Sequence, residues 1–200
     1  MIIIGITAPI GCGKSYVASI FEKHGVPTVD SDLVYHSMVS KPSPTVKKLA
    51  EEFGKEILAP DGSLDRKKLA PIVFSDPLKL NKLNEITHIA VTKELSDILS
   101  DYEAMGTKLI TVQVPLMFES GFDKKCDIVI CVAADESIRL ERICKRDTCT
   151  VEQAQKKINN QKDIQFYIAN SFETVYNNGN EDLDEQISRI LDKLSRSEEV

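Results

Sequence analysis

The chain has 200 residues, 42% of them hydrophobic and 28% charged, with a net charge of −6. That balance fits a globular protein of one or two domains and argues against a nucleic-acid partner held by bulk electrostatics. No apolar stretch approaches the ~20 residues of a membrane-spanning helix, so no membrane association is expected.

Ile2, Ile3, Ile4 and Ile6 open the chain with a β-branched run, the pattern of a parallel strand buried on both faces. Met1 leads straight into it, with no basic start and no cleavage site, so a cytoplasmic protein is expected. Ala8-Pro9-Ile10-Gly11-Cys12-Gly13-Lys14-Ser15 follows. It fits the phosphate-binding pattern G-x-x-x-x-G-K-S/T, except that Ala8 takes the place of the first glycine. In such a loop the backbone N–H groups and the positive helix end cradle phosphate oxygens. Lys14 would reach the β- and γ-phosphates of a nucleoside triphosphate, and the Ser15 hydroxyl would ligate Mg²⁺. A glycine-rich turn without a ligand is the plainer reading, and the position between a strand and a helix argues against it. Ala8 requires a negative φ there. Cys12 lies near a helix N-terminus that lowers thiol pKa values, so its oxidation is expected to block nucleotide binding.

Val17, Ala18, Ile20 and Phe21 recur at helical spacing, and Gly25 closes that helix. A short strand, Val26 to Val29, then ends in Asp30-Ser31-Asp32. A carboxylate at that strand end suits the activation of an attacking hydroxyl, and Asp32 is the candidate. One of the two aspartates is expected to cap the following helix instead. From Leu33 to about Ala104 helical patterns dominate, broken by turns at Lys41-Pro42-Ser43-Pro44, Ala59-Pro60-Asp61-Gly62 and Ser75-Asp76-Pro77. A long apolar stripe begins at Leu78 and runs through Leu99. Arg66 and His88 fall in this block; a lone histidine is more often structural than catalytic, and Arg66 reads likewise as a plain surface charge.

Strand patterns return at Leu109 to Val114 and Asp127 to Val132, and helices are expected over about 136–145 and 151–161. Arg139, Arg142 and Arg146 fall near one helical face. They form either a solvated charged face or a lid over triphosphate, for which the guanidinium fork is suited. A weak strand, Thr174 to Tyr176, leads into Asn177-Asn178-Gly179. Leu183, Ile187, Ile190, Leu191 and Leu194 mark a last helix, and residues 197–200 are expected to fray. The five cysteines include no C-x-x-C pair, which argues against a zinc site. Cys144 and Cys149 meet only if a turn joins them, and separate reduced thiols are the plainer expectation.

These elements predict an α/β fold of the P-loop NTPase type: a parallel five-stranded sheet flanked by helices, with a helical substrate-binding insertion and a helical lid. A single P-loop unit is expected, with its core in 1–32, 105–137 and 170–200, the insertion in 33–104 and the lid in 138–169.

In order and spacing these pieces resemble the dephospho-CoA kinase family over nearly the whole chain. The resemblance runs through Gly5-Ile6-Thr7 and the phosphate loop, Val29-Asp30-Ser31-Asp32, Gly62-Ser63-Leu64-Asp65-Arg66 and Leu83-Asn84 with His88. It continues through Val114-Pro115-Leu116-Met117-Phe118-Glu119, Arg139, Arg142, Arg146-Asp147, Gln161 and Asn177-Asn178-Gly179. It implies ATP-dependent phosphorylation of the ribose 3′-hydroxyl of dephospho-CoA. Gly11, Cys12, Gly13, Lys14, Ser15 and Tyr16 would bind the ATP phosphates, with Asn177 near the adenine. Asp32 would act on the hydroxyl, Arg66 and His88 would hold dephospho-CoA, and Arg142 and Arg146 would stabilise the transferred group. Partners would be these small molecules and Mg²⁺, with the protein a monomer or weak homo-oligomer. The chain departs from the family pattern at Ala8-Pro9, Ile89, Gln113 (where many members carry Asp) and Tyr167. The alternatives are another small-molecule or nucleotide kinase of this fold, or a nucleotide-binding module with degraded catalysis.

Overall fold

The computed structural model describes residues 1–115 and 117–197. Leu116 of the Val114–Glu119 segment, and the fraying expected at 198–200, lie outside the described residues. The chain divides into two compact units, one of Met1–Val29 with Thr107–Val200 and the other of Asp30–Gly106.

The first unit is built on a five-stranded parallel sheet in the order β2-β3-β1-β4-β5. The strands are β1 (Ile2–Thr7), β2 (Thr28–Asp30), β3 (Leu109–Gln113), β4 (Ile128–Ala133) and β5 (Glu173–Tyr176). The central β1 pairs Ile6 with Gln113 on one side and with Ile130 on the other. Its β-branched side chains suit this position, since a strand with neighbours on both edges and cover on both faces has no solvated side.

On one face Ile4, Ile6, Ile130 and Val132 pack against helix α1 (Lys14–Lys23) and the C-terminal α10 (Leu183–Ser197). Val17, Ala18, Ile20 and Phe21 are the buried positions of α1, as their spacing predicts. Gly25, at φ 80°, supplies the left-handed turn that ends it. The strand expected at Val26 to Val29 forms two residues later, because Pro27 has no N–H to give the ladder; its carbonyl accepts from the Thr111 N–H at 2.9 Å. Between β4 and β5 run α7 (Glu136–Asp147), α8 (Val151–Asn159) and α9 (Ile164–Ala169). The short α6 (Met117–Ser120) follows β3.

The second unit is helical. It comprises α2 (Ser31–Val39), α3 (Pro44–Phe53), α4 (Arg66–Phe74) and α5 (Pro77–Ala104). Its own core joins Val39, Val46, Leu49, Phe53, Ile57, Leu64, Leu69 and Val73. Each helix starts on a cap written in the sequence: Ser43 accepts from the Val46 N–H, Asp65 from those of Lys67 and Lys68, and Asp76 from that of Leu78. The stripe expected from Leu78 is only partly buried. Leu78 is 78% exposed, Leu80, Leu83 and Ile86 pack half-buried against this core, and Leu95 and Leu99 are inside.

Candidate active site

The phosphate loop leaves β1 at Thr7 and re-enters regular structure at Lys14. Gly11 and Gly13 hold φ near +87° and +88°, a conformation costly for any residue with a β-carbon. Ala8 has no positive φ: among the described non-glycine residues only Thr148 does. The substitution at the first glycine is therefore compatible with the turn. Gly13 caps α1 with no side-chain hydrogen bond, so no side chain competes with an anion for the first-turn donors of the helix. Lys14 Nζ is buried at this end of the loop, and Ser15 and Tyr16 are exposed.

Four residues from distant parts of the chain grip this loop from behind. Arg139, 4% exposed, donates through Nε to the Ile10 carbonyl at 3.0 Å. The Ile10 N–H donates to Gln161 Oε1 at 2.7 Å. Arg142 Nη1 donates to the carbonyls of Gly11 and Cys12 at 3.4 Å each and to that of Asn177 at 2.9 Å, while Nη2 reaches Asn177 Oδ1 at 3.2 Å. Asn177 Nδ2 completes the clasp by donating to the Cys12 carbonyl at 2.8 Å.

The loop glycines are required by this clasp as well as by their φ. A β-carbon on Gly11 would stand 2.9 Å from the Arg139 carbonyl oxygen, and one on Gly13 would stand 2.4 Å from Asn177 Nδ2. The carbonyls of Ile10, Gly11 and Cys12 are thus taken up by arginine and asparagine, which suits a loop whose N–H groups serve an anion.

The three arginines do not share one role. Arg139 is buried and Arg142 half-buried, both spent on the loop. Arg146 is exposed and forms a bidentate pair with Asp147, at 2.7 and 3.0 Å. Hydrogen bonds from Arg146 and then Lys157 hold the Asp147 carboxyl well below the usual carboxylate range. Arg139 and Arg142 reach the loop, whereas Arg146, one turn further along α7, pairs with Asp147.

Asn177 is likewise buried, 5% exposed, with its amide committed to the loop. Tyr16, Asn177 and Gly179 line a cavity of about 270 Å³ beside it. Cys12 is fully buried, and burial pushes its thiol up rather than down. The helix terminus does not activate it, so the expected oxidation at Cys12 loses its basis.

Gln113 Oε1 and Thr7 Oγ1 are buried at the strand ends and have no hydrogen-bond partner among the described residues. Together with the Ser15 hydroxyl, the Gln113 amide offers hard, neutral oxygen, a donor set compatible with Mg²⁺. Among the described residues no three His, Cys, Asp or Glu side chains gather into a metal site.

In the helical unit, Asp30 resolves the ambiguity of the aspartate pair. Its carboxylate accepts from the Asp32 N–H at 2.8 Å and caps α2. Asp32 is exposed in the first turn of that helix. One turn along stands Tyr35, with the Arg66 guanidinium 5.1 Å from its ring centroid. Sequence reading missed Tyr35, although its i,i+3 spacing from Asp32 puts it on the same helix face. His88 is exposed on α5, and the contact seen for Arg66 is to Tyr35 rather than to the histidine.

Comparison with known proteins bears on which kinase this is. The family model described as dephospho-CoA kinase matches residues 2–183. A dephospho-CoA kinase of Lactobacillus johnsonii is 35% identical over 194 residues, 96% of this chain and 98% of that protein. A crystal structure from Thermus thermophilus superposes with a TM-score of 0.81 at 31% identity, covering 96% of this chain and 97% of that one. The dephospho-CoA kinase of Campylobacter jejuni shares the fold, with a TM-score of 0.74 at 24% identity over 98% of both chains.

Proposed function

The chain belongs to the dephospho-CoA kinase family, and we propose that it transfers the γ-phosphoryl group of ATP to the ribose 3′-hydroxyl of dephospho-CoA with Lys14, Asp32 and Arg146 in the leading roles. The observation that carries the reading is the clasped phosphate loop, with its two left-handed glycines, within a chain that matches the family from residue 2 to 183.

In phosphoryl transfer the protein contributes chiefly positioning and charge stabilisation. Gly11, Cys12, Gly13, Lys14, Ser15 and Tyr16 bind the ATP phosphates through backbone N–H groups, the lysine ammonium and the serine hydroxyl. Arg142 and Asn177 act on ATP mainly by keeping the loop in shape, and the cavity beside Tyr16 and Gly179 is the place for the adenosine. Asp32 accepts or orients the proton of the attacking hydroxyl. Its exposure, and the fact that Asp30 already caps α2, support that role over a purely structural one. Arg66, with Tyr35 beneath it, and His88 bind dephospho-CoA. Arg146 leaves Asp147 to meet the charge of the transferred group.

Mg²⁺, when bound, would neutralise charge on the phosphate oxygens. Ser15 and the Gln113 amide are the residues that would hold it or its water. The same reading has the enzyme work in the cytoplasm, alone or as a weak homo-oligomer. Among the described residues no helix is long and apolar enough to cross a membrane.

ADP release in a coupled assay, compared across dephospho-CoA, shikimate and nucleoside monophosphates, tests the substrate. Release driven by dephospho-CoA alone is the expected result. Release driven by one of the others would replace this reading with that of a different kinase of the same fold.

A further inference from the structure

Cys144 and Cys149 bracket the C-terminal end of α7. Thr148 between them takes φ 49°, as the C-cap of that helix. The reversal lets the Cys149 N–H donate to the Cys144 carbonyl at 3.3 Å, the six-residue closure seen at helix ends. The two main chains thus lie side by side, as a disulfide's Cα separation of about 4.4–6.8 Å requires. Both side chains turn to the same small core of Ile143, Ala154 and Ile158, and both are half-buried. The Cys149 thiol donates to the Ile143 carbonyl at 3.9 Å. Burial first, then the charge of Cys149 and its hydrogen bond, push the Cys144 thiol up, as befits two thiols that face each other.

We propose that Cys144 and Cys149 form a reversible dithiol–disulfide modification site, oxidised by low-molecular-weight disulfides. The thiolate of one cysteine attacks the oxidant's S–S bond, forms a mixed disulfide and expels one oxidant thiolate. The thiolate of the second cysteine attacks the protein-side sulfur and expels the other. The protein loses two S–H bonds and gains one S–S bond. The oxidant takes up two electrons, and its two thiolates take up the two protons.

Selectivity comes from the surroundings. Cys12 and Cys131 are fully buried, whereas Cys144 and Cys149 are half-buried together at one turn. A bond across four intervening residues closes too short a loop to staple the fold. What it secures is the turn between α7 and α8, now held by Lys157 Nζ on Asp147 at 2.5 Å, directly after the last turn of α7 that carries Arg146.

The test is chemical and does not depend on kinase activity. The full-length reduced protein is incubated with oxidised glutathione, then denatured, alkylated and mapped by mass spectrometry. Two of the five thiols should become resistant to alkylation, in a Cys144–Cys149 cross-link lighter by two hydrogens, and dithiothreitol should restore both. In Cys144→Ser and Cys149→Ser the cross-link should vanish, leaving a glutathione adduct on the remaining cysteine. Five alkylated thiols after oxidation would overturn the proposal. So would a lasting glutathione adduct on the wild-type pair, or a bond joining either cysteine to a different partner.

Discussion

Asn177 Nδ2 donates to the Cys12 carbonyl at 2.8 Å from a position that a β-carbon on Gly13 would invade. The end of β5 and the phosphate loop are thereby fitted to each other, and the loop's shape depends on a residue 165 positions away. Gly13→Ala adds this clash to a left-handed φ that costs about 1–2 kcal/mol. ATP affinity measured by calorimetry should fall at least about tenfold. Unchanged affinity would mean that the clasp does not shape the site.

Arg142 and Arg146 should separate kinetically. Arg142→Ala removes charge-assisted hydrogen bonds to loop carbonyls, worth about 1.5–3 kcal/mol, so ATP affinity and turnover should fall together. Arg146→Ala should lower turnover roughly 10²-fold with ATP affinity retained, as for loss of a donor to developing charge. Steady-state kinetics with direct ATP titration reads the difference. An equal loss of ATP affinity in both variants would contradict the division of roles.

Ala8 offers a test in the opposite direction. Its φ is not positive and its methyl packs against the core of the sheet unit. Restoring glycine by Ala8→Gly should leave ATP affinity unchanged and lower stability by about 0.4–1 kcal/mol, through the freedom returned to the unfolded chain. Denaturant unfolding checks the stability and calorimetry the binding. A gain in ATP affinity would show that Ala8 impairs the loop.

Tyr167 gives a pH-dependent signature. It is 1% exposed, its hydroxyl donates to Glu119 Oε1 at 3.1 Å, and burial followed by the charge of Glu119 pushes it up to about 12. The unfolded chain ionises near 10, so above that pH the unfolded state holds fewer protons than the folded one. The stability associated with Tyr167 is complete below pH ~10 and is lost as pH rises toward ~12. Tyr167→Phe should flatten that alkaline limb of the stability profile and leave its slope near neutrality unchanged. An identical alkaline slope in wild type and variant would contradict the assignment.

The parts of this site written in local patterns were legible in the sequence. The loop, the strand before it and the helix after it each follow from residue type at fixed spacing. The clasp was not legible as a clasp. Arg139, Arg142, Gln161 and Asn177 bind backbone groups of the loop, and every residue except proline offers the same backbone N–H and carbonyl. The arginines therefore read only as a charged face or a lid. The meeting of Cys144 with Cys149 depends on Thr148 adopting a conformation that β-branched residues rarely take, so no spacing rule foretold it. Asp30 and Asp32 were ambiguous in the sequence because either suits a helix N-terminus; the hydrogen bond at 2.8 Å identifies Asp30 as the cap.

The central claim is that the loop presents ATP while Asp32 serves the 3′-hydroxyl of dephospho-CoA. It is tested most directly by ADP release with and without dephospho-CoA, in wild type and in Asp32→Asn, alongside ATP affinity for both proteins. The wild type should release ADP in proportion to dephospho-CoA phosphorylated. Asp32→Asn should lose roughly 10²-fold or more in turnover while binding ATP normally. Near-normal turnover in the variant, or wild-type ADP release indifferent to dephospho-CoA, would contradict it.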